Sequence, residues 1–335
     1  MKAIIPVAGV GSRLRPHTHT QPKALVPVAG KPILLHIVDM LVDNGVTDLV
    51  FIIGYMGTKI KQTINENYAG KPVNIEFIVQ EPREGIGHAL YIARHTFEEE
   101  EDILIVLGDT VVNINLDQLK NSEHSVLGVQ KVSEPGRFGI AELKPDGLIK
   151  RLVEKPQIPK SNLALVGIYK ISDPKLLIEG LCKIVEEGTQ YLGEYQLTDA
   201  LMYMIEKGHV MRTVNVDSWF DCGKRSSLLE ANAILLGQQL QNGQPTYSFP
   251  TTIIIPPVSI GKNCRISHSI IGPNVAIGDD TVVSYSIIED TIVGSYSELR
   301  NIMLSHSIIG NDTRILGLSQ QLNIGDNTEI NFTEC

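Results

Sequence analysis

The chain has 335 residues, 43% of them hydrophobic, which is enough for a substantial core and more than one average domain. A formal net charge of −9 argues against a general nucleic-acid binder, which needs a basic field. Cys182, Cys222, Cys264 and Cys335 are scattered without paired spacing, so neither a disulfide framework nor a zinc site is indicated, and no apolar run approaches the ~18 residues of a membrane span. A soluble cytoplasmic protein is expected, with no nucleic-acid or membrane partner.

The apolar run Ala3-Ile4-Ile5-Pro6-Val7 reads as a buried strand, and it breaks into the loop Ala8-Gly9-Val10-Gly11-Ser12-Arg13. Two glycines let the backbone approach a bulky anion with its N–H groups, and the arginine adds a charged fork; the same Gly-x-Gly also serves a plain tight turn. The loop has neither the Lys-Ser/Thr ending of a Walker A motif nor the third glycine of a dinucleotide fingerprint. Prolines around Lys23 fix an extended segment whose register can aim the lysine back at the glycine loop; a solvated surface lysine is the simpler alternative. His17 and His19 are read as loop residues without a ligand role.

Helical spacing predicts a helix over 33–44, followed by a strand at 49–53, a polar helix at 58–68 and a strand at 74–79. A helix at 87–97 and a strand at 103–107 come next. This alternation predicts a parallel sheet covered by helices on both faces, with ligands collecting at the carboxyl ends of the strands. The glycine loop, Gln80 and Asp109 each follow a strand, so they should share one sheet edge.

The amide of Gln80 can both donate and accept, as a pyrimidine edge requires, or can simply face water. Asp109, after Leu107-Gly108, is placed to offer a hard oxygen to Mg²⁺ or to cap a turn. Glu154 and Lys155 would point to opposite faces of a strand, but at a strand end before Pro156 both can line a pocket. A helix is expected from Gly193-Glu194-Tyr195 to about Lys207. Ser218-Trp219-Phe220-Asp221-Cys222-Gly223 sets the single tryptophan beside a second aspartate, as a pocket wall or as core.

Taken in order, Gly9-x-Gly11-Ser12-Arg13-Leu14-x-Pro16, Pro22-Lys23, Gly30-Lys31-Pro32, Leu107-Gly108-Asp109, Glu154-Lys155-Pro156 and Trp219-x-Asp221-x-Gly223 resemble the sugar-1-phosphate nucleotidylyltransferases. The likeness is greatest to the long-form glucose-1-phosphate thymidylyltransferases, and it covers essentially the whole chain. The resemblance implies Mg²⁺-dependent transfer of a nucleotidyl group from dTTP to glucose 1-phosphate. It implies that Ala8, Gly9, Gly11 and Ser12 cradle the nucleotide phosphates, that Arg13 and Lys23 neutralise them, and that Gln80 and Gly85 contact the base. Asp109 and Asp221 would bind the metal, and Gly139, Glu154 and Lys155 would hold the sugar phosphate. Ala8 stands where the family commonly has glycine, Ser12 where it has threonine and Thr110 where it often has asparagine. The Ala-Gly-x-Gly version also resembles bacterial uridylyltransferases, which keeps UTP as the rival nucleotide.

After about Leu236 the character changes. A polar linker is expected over 237–250, separating a catalytic domain at 1–236 from a β-helix at 251–335. Short Ile/Val-Gly steps recur at Ile260-Gly261, Ile271-Gly272, Ile277-Gly278, Val293-Gly294, Ile309-Gly310 and Ile324-Gly325. They resemble the hexapeptide repeat of a left-handed parallel β-helix, an architecture whose faces and ends favour homo-oligomers. The fold class expected is a Rossmann-like domain with a mostly parallel mixed sheet, followed by that short β-helix. Two other functions are compatible with these features: acyl transfer through His268 or His306, by fold analogy, and a non-catalytic regulatory subunit, against which the presence of both aspartates speaks.

Overall fold

The computed structural model of the chain describes residues 1–243 and 246–317. Gln244 and Pro245 of the expected linker, the Ile324-Gly325 step and Cys335 lie outside the described residues. Contacts divide the chain between Ile234 and Leu235 into two compact units.

In the first unit, β1 (Lys2–Val7) leads through the glycine loop to a short hairpin, β2 (Pro27–Val28) and β3 (Lys31–Pro32). Then come α1 (Ile33–Asp43), β4 (Asp48–Ile53), α2 (Gly57–Tyr68), β5 (Asn74–Val79), α3 (Ile86–Ala93) and β6 (Ile103–Val106). These agree with the predicted elements to within a few residues, except that the helix expected over 87–97 tightens into a 3₁₀ turn at Arg94–Thr96. Beyond Asp109 lie β7 (Thr110–Asn113), α4 (Leu116–Lys120), β8 (Ser125–Lys131), β9 (Gly139–Leu143), β10 (Ile149–Glu154) and β11 (Leu163–Ile171). The unit continues with α5 (Pro174–Glu186), α6 (Leu197–Glu206), β12 (Met211–Asn215) and β13 (Ser218–Asp221), and α7 (Arg225–Gln241) runs across the division between the units.

The main sheet has nine strands in the order β10-β9-β11-β6-β1-β4-β5, with β8 pairing β11 and β12 pairing β8. Strands β6, β1, β4 and β5 run parallel, as the strand–helix alternation predicts. The sheet is mixed, as the expected fold class has it: beyond β6, β11 enters antiparallel to β6, β8 and β9. No crossover helix is needed there: β9 and β10 are joined by a tight turn in which Lys144 N–H reaches Leu148 O and Gly147 N–H reaches Lys144 O.

One face of the sheet carries the core: Ile4, Val50 and Ile52 pack in one cluster with Leu90 and Ala93 of α3, Leu177 and Leu181 of α5, and Leu201 of α6. The other face is buried as well at Ala3, Ile5, Leu49 and Phe51, which explains the unbroken apolar runs in these strands. Helix α5 starts at a cap: the Asp173 carboxylate accepts from Leu176 N–H, and Pro174 takes the first helical position. A separate two-stranded ladder pairs β13 with β7 and sets Asp221 opposite Thr110.

Helix α7 runs into the stretch expected as a linker. Residues 237–241 form its last turns, because the Leu and Gln residues flanking Gly237 are good helix formers and nothing crowds the glycine.

The second unit is a left-handed parallel β-helix built from three four-stranded parallel sheets. Ile254, Ile271, Ile288 and Leu304 stack in register on one wall, and Ile266, Val283 and Leu299 on another, all in contact in one core. Its coils depart from three strict hexapeptides. Each turn passes single left-handed residues at its corners, such as Asn263, Asp280, Tyr296 and Asp312 along one edge, and these tighten the coil. Asn263 and Asn274 each donate to an aspartate one coil on, Asp280 at 3.1 Å and Asp290 at 2.8 Å. A Cβ at Gly278 would lie 2.5 Å from the Ser295 nitrogen of the next coil, which accounts for the recurring glycine.

Candidate active site

At the carboxyl end of β1, Gly11 takes φ +68, and a Cβ there would meet the Lys23 Cβ at 2.8 Å. Ser12 and Arg13 open a 3₁₀ turn directly after it. Among the described residues, the amides of Gly9, Val10, Gly11 and Ser12 donate to no acceptor, leaving a row of N–H groups of the kind that binds anions. Ala8 lies beneath this loop, its carbonyl accepting from Tyr55 N–H at 3.2 Å.

Lys23 is buried, and its ammonium lies 2.5 Å from Asp109 Oδ2 and 3.8 Å from Asp221 Oδ1. The Arg13 guanidinium stands 4.0 Å from Asp221 Oδ2. Two aspartates far apart in sequence thus converge on one cation. The β7–β13 ladder brings them together, aided by Cys222 N–H donating to Asp109 O at 3.2 Å and Gly223 N–H to Asp221 Oδ1 at 3.1 Å. Gly108 is required where the chain passes β1, since its Cβ would fall 2.0 Å from Val7 Cγ1. Burial pushes the Asp109 carboxyl up, but the Lys23 ammonium overrides it and holds the group below the usual carboxylate range. Burial also raises the Cys222 thiol to about 12, so it stays protonated beside the carboxylates.

Glu154 ends β10, and Lys155 has φ +40, which breaks strand alternation and turns its ammonium to 3.3 Å from Glu154 Oε1. Gly139 pairs with Glu154 across the β9–β10 ladder, and a Cβ on it would touch Glu154 Oε2 at 2.9 Å. Thr198 Oγ1 donates to the same oxygen at 3.4 Å. The buried Tyr169 links this group to the aspartates: its phenol is raised by burial and then by the charges of Glu154 and Asp109. A small cavity of about 200 Å³ beside Asp221 is lined by Arg137, Phe138, Trp219 and Lys224, with Phe138 set edge-on to Trp219 at 4.8 Å.

The third group follows β5. Gln80 Nε2 donates to Gly85 O at 2.9 Å, and Gly85 takes φ +97 where a Cβ would strike Tyr195 O at 2.6 Å. Tyr195 closes the turn, accepting from Gly87 N–H at 2.8 Å and donating to Glu84 O at 2.7 Å. Each expected site residue therefore falls into one of three groups: the loop with Lys23 and the aspartates, the Glu154 group and the Gln80 group. Thr198, Tyr169, Glu84, His88 and Tyr195 complete these groups and are not among the residues expected from the sequence.

Among the described residues no cluster of three or more His, Cys, Asp or Glu could hold a metal, and no helix is long and apolar enough to cross a membrane. A loop lined with N–H groups, a carboxylate pair and a sheet-edge setting suit an enzyme that handles phosphoryl groups. Residues 2–238 match the nucleotidyl transferase family, and the chain belongs to it. It is 32% identical over 332 residues to a glucose-1-phosphate thymidylyltransferase of Streptomyces antibioticus, covering 97% of this chain and 86% of that one. It is 33% identical over 226 residues to the UTP–glucose-1-phosphate uridylyltransferase AglF of Haloferax volcanii, covering 65% of this chain and 89% of AglF. A Bacillus anthracis protein solved in complex with sucrose superposes with a TM-score of 0.60 at 28% identity, over 70% of this chain and 94% of that protein. The chain is an enzyme of nucleotidyl transfer to a sugar 1-phosphate.

Proposed function

We propose that this enzyme transfers a thymidylyl group from dTTP to glucose 1-phosphate, releasing dTDP-glucose and pyrophosphate. It would work in the cytoplasm, with residues 1–236 as the catalytic domain. The observation that carries the reading is the convergence of Asp109 and Asp221 on Lys23 beneath an amide-lined loop. A match to a thymidylyltransferase along 97% of the chain, against 65% for the uridylyltransferase, favours dTTP; Ala8-Gly9 favours UTP as the second reading.

A phosphate oxygen of the sugar 1-phosphate attacks the α-phosphorus, a P–O bond forms there, and the bond to pyrophosphate breaks. The nucleophile is already an anion, so no general base is needed, and the obstacle is the meeting of two polyanions. The amides of Gly9, Gly11 and Ser12 donate to the triphosphate, while Ala8 supports the loop. Arg13 and Lys23 neutralise charge on the nucleotide, and Lys155 does so on the sugar phosphate. Glu154 accepts from sugar hydroxyls, and the missing side chain at Gly139 leaves them room. Gln80 and Gly85 receive the base.

The donor set at Asp109 and Asp221 fits Mg²⁺: two carboxylates reach a common cation, no cluster of three or more His, Cys, Asp or Glu forms with them among the described residues, and the neighbouring thiol is protonated. These two residues would hold the ion, which when bound neutralises phosphate charge as the bond order shifts. Positioning and electrostatics supply the rest.

The test is pyrophosphate release with glucose 1-phosphate and Mg²⁺, run separately with dTTP, UTP, GTP, CTP and ATP. A preference for dTTP that is lost in Asp109→Asn and Asp221→Asn supports the reading. A preference for UTP keeps the mechanism and replaces the nucleotide. Activity undiminished in both variants would overturn the assignment of the carboxylates.

A further inference from the structure

We infer that His88 is a positioning residue that locks the Gln80 amide with its oxygen outward, and so selects bases that carry an imide N–H. This rests on the reading of Gln80 as the base contact and names what gives that contact its direction. Gln80 is 4% exposed, and its backbone is pinned by donating to Ile53 O at 2.8 Å. Its side-chain Nε2 has two hydrogens. One goes to the Gly85 carbonyl at 2.9 Å, and the other faces Nδ1 of the buried His88 at 3.5 Å. The Gly85 oxygen can only accept, so it fixes which end of the amide is nitrogen.

His88 extends the lock. For Nδ1 to accept, the ring proton must sit on Nε2, and the Glu84 carboxylate 3.7 Å from Nε2 attracts that proton. The ring is held in place between Tyr91, stacked at 6.4 Å, and Tyr195 at 6.0 Å. Turning the amide over would set Oε1 against two acceptors and lose both bonds. Among the described residues Oε1 takes no hydrogen bond, so it is the atom left for a ligand. An outward oxygen meets the N3–H donor of uracil or thymine. Cytosine presents a bare N3 acceptor there, and two acceptors repel. A site built to pair with a donor rejects a base lacking it far more strongly than shape alone would.

The experiment compares kcat and KM for dTTP, UTP and CTP, with glucose 1-phosphate, in four full-length variants. In His88→Leu only the Gly85 bond opposes turning of the amide, so the ratio of kcat/KM for the better of dTTP and UTP over CTP should fall by about tenfold, through KM, with kcat within about threefold. His88→Asn, whose Oδ1 takes the place of Nδ1, should keep the ratio within about threefold of the parent. His88→Gln, which moves the acceptor to the Nε2 position, should behave like leucine. If His88→Leu does not fold, the asparagine and glutamine variants decide between themselves, being two amides whose extra methylene moves the acceptor from one ring-nitrogen position to the other. Gln80→Leu provides the separate control. Discrimination lost in Gln80→Leu yet intact in His88→Leu and His88→Gln overturns the role of His88 alone. Discrimination intact in Gln80→Leu overturns the base contact itself.

Discussion

Lys23 answers two aspartates at once, and its stem packs against Gly11, so the loop and the carboxylates are set by one side chain. The two glycines of the loop then differ in kind. At Gly11 an added Cβ meets Lys23 at 2.8 Å on a left-handed backbone, whereas at Gly9 nothing lies within 4 Å. Gly11→Ala is therefore expected to destabilise the folded enzyme by about 1–3 kcal/mol, visible as a Tm lowered by several degrees. Gly9→Ala should leave Tm nearly unchanged and raise KM for the nucleotide about tenfold, since only an approaching phosphate would feel the methyl. A fall in Tm equal to that of Gly11→Ala, with KM unmoved, would remove Gly9 from the phosphate cradle. These glycines, Arg13 and Asp109 were legible because each follows an apolar strand, and strand ends gather at one sheet edge. His88 and Thr198 were not, because the partners that give them meaning, Gln80 and Glu154, come from other elements. Lys155 shows the limit in miniature. Strand alternation would send it away from Glu154, and only its left-handed backbone, invisible in an isolated Glu-Lys-Pro, turns it back.

Among the elements, the parallel half of the mixed sheet was legible strand by strand, whereas the sequence did not mark which strands run antiparallel. Buried strands of either kind read as the same apolar runs, and β11 gives no sign of its direction. The β7–β13 ladder, which joins the two aspartates, is four residues a side and too short for a periodic signal. Helix α1 offers a test of how elements are tied to one another. His36 Nε2 donates to Val28 O of β2 at 2.8 Å, fastening the helix to the hairpin after Lys23. Burial, with the Lys31 charge, lowers its pKa from 6.5 to about 4, so the folded state keeps it neutral where the unfolded chain takes a proton. The stabilisation is complete above pH 6.5 and is lost as the pH falls from 6.5 towards 4. His36→Gln keeps a donor for Val28 O but cannot take the proton. Urea melts should therefore show a shallower loss of stability across that window than in the parent. Parallel curves for the two proteins would show that another group governs acid unfolding.

For the whole molecule, the β-helix presents walls of opposite character. One outer wall carries Arg265, Glu298, Arg300 and Arg314, with Glu298 paired to Arg300 on its own strand at 3.1 Å and to Arg314 of the next coil at 2.8 Å. Another carries the ladder Ile253, Ile270, Ile287 and Met303, in register on successive coils, with Ile253 61% and Met303 78% exposed. This ladder bears no charge, so two copies can meet across a two-fold axis without opposing like groups. We propose on this basis that the enzyme is a homo-oligomer joined through that wall. The chain's net charge of −9 opposes association at long range, and salt screens that repulsion while leaving apolar contact intact. Light scattering should find an oligomer whose dissociation constant falls as salt rises from 0.05 to about 0.5 M, a range over which the Debye length shrinks several-fold. Ile287→Glu combined with Met303→Glu should give monomers with the parent's β-sheet signal, because both side chains point out of the coil and Ile288 and Leu304 keep the core. Dissociation on adding salt would instead make the contact ionic and direct attention to the Arg-Glu wall, and a parent that stays monomeric at high salt would end the proposal.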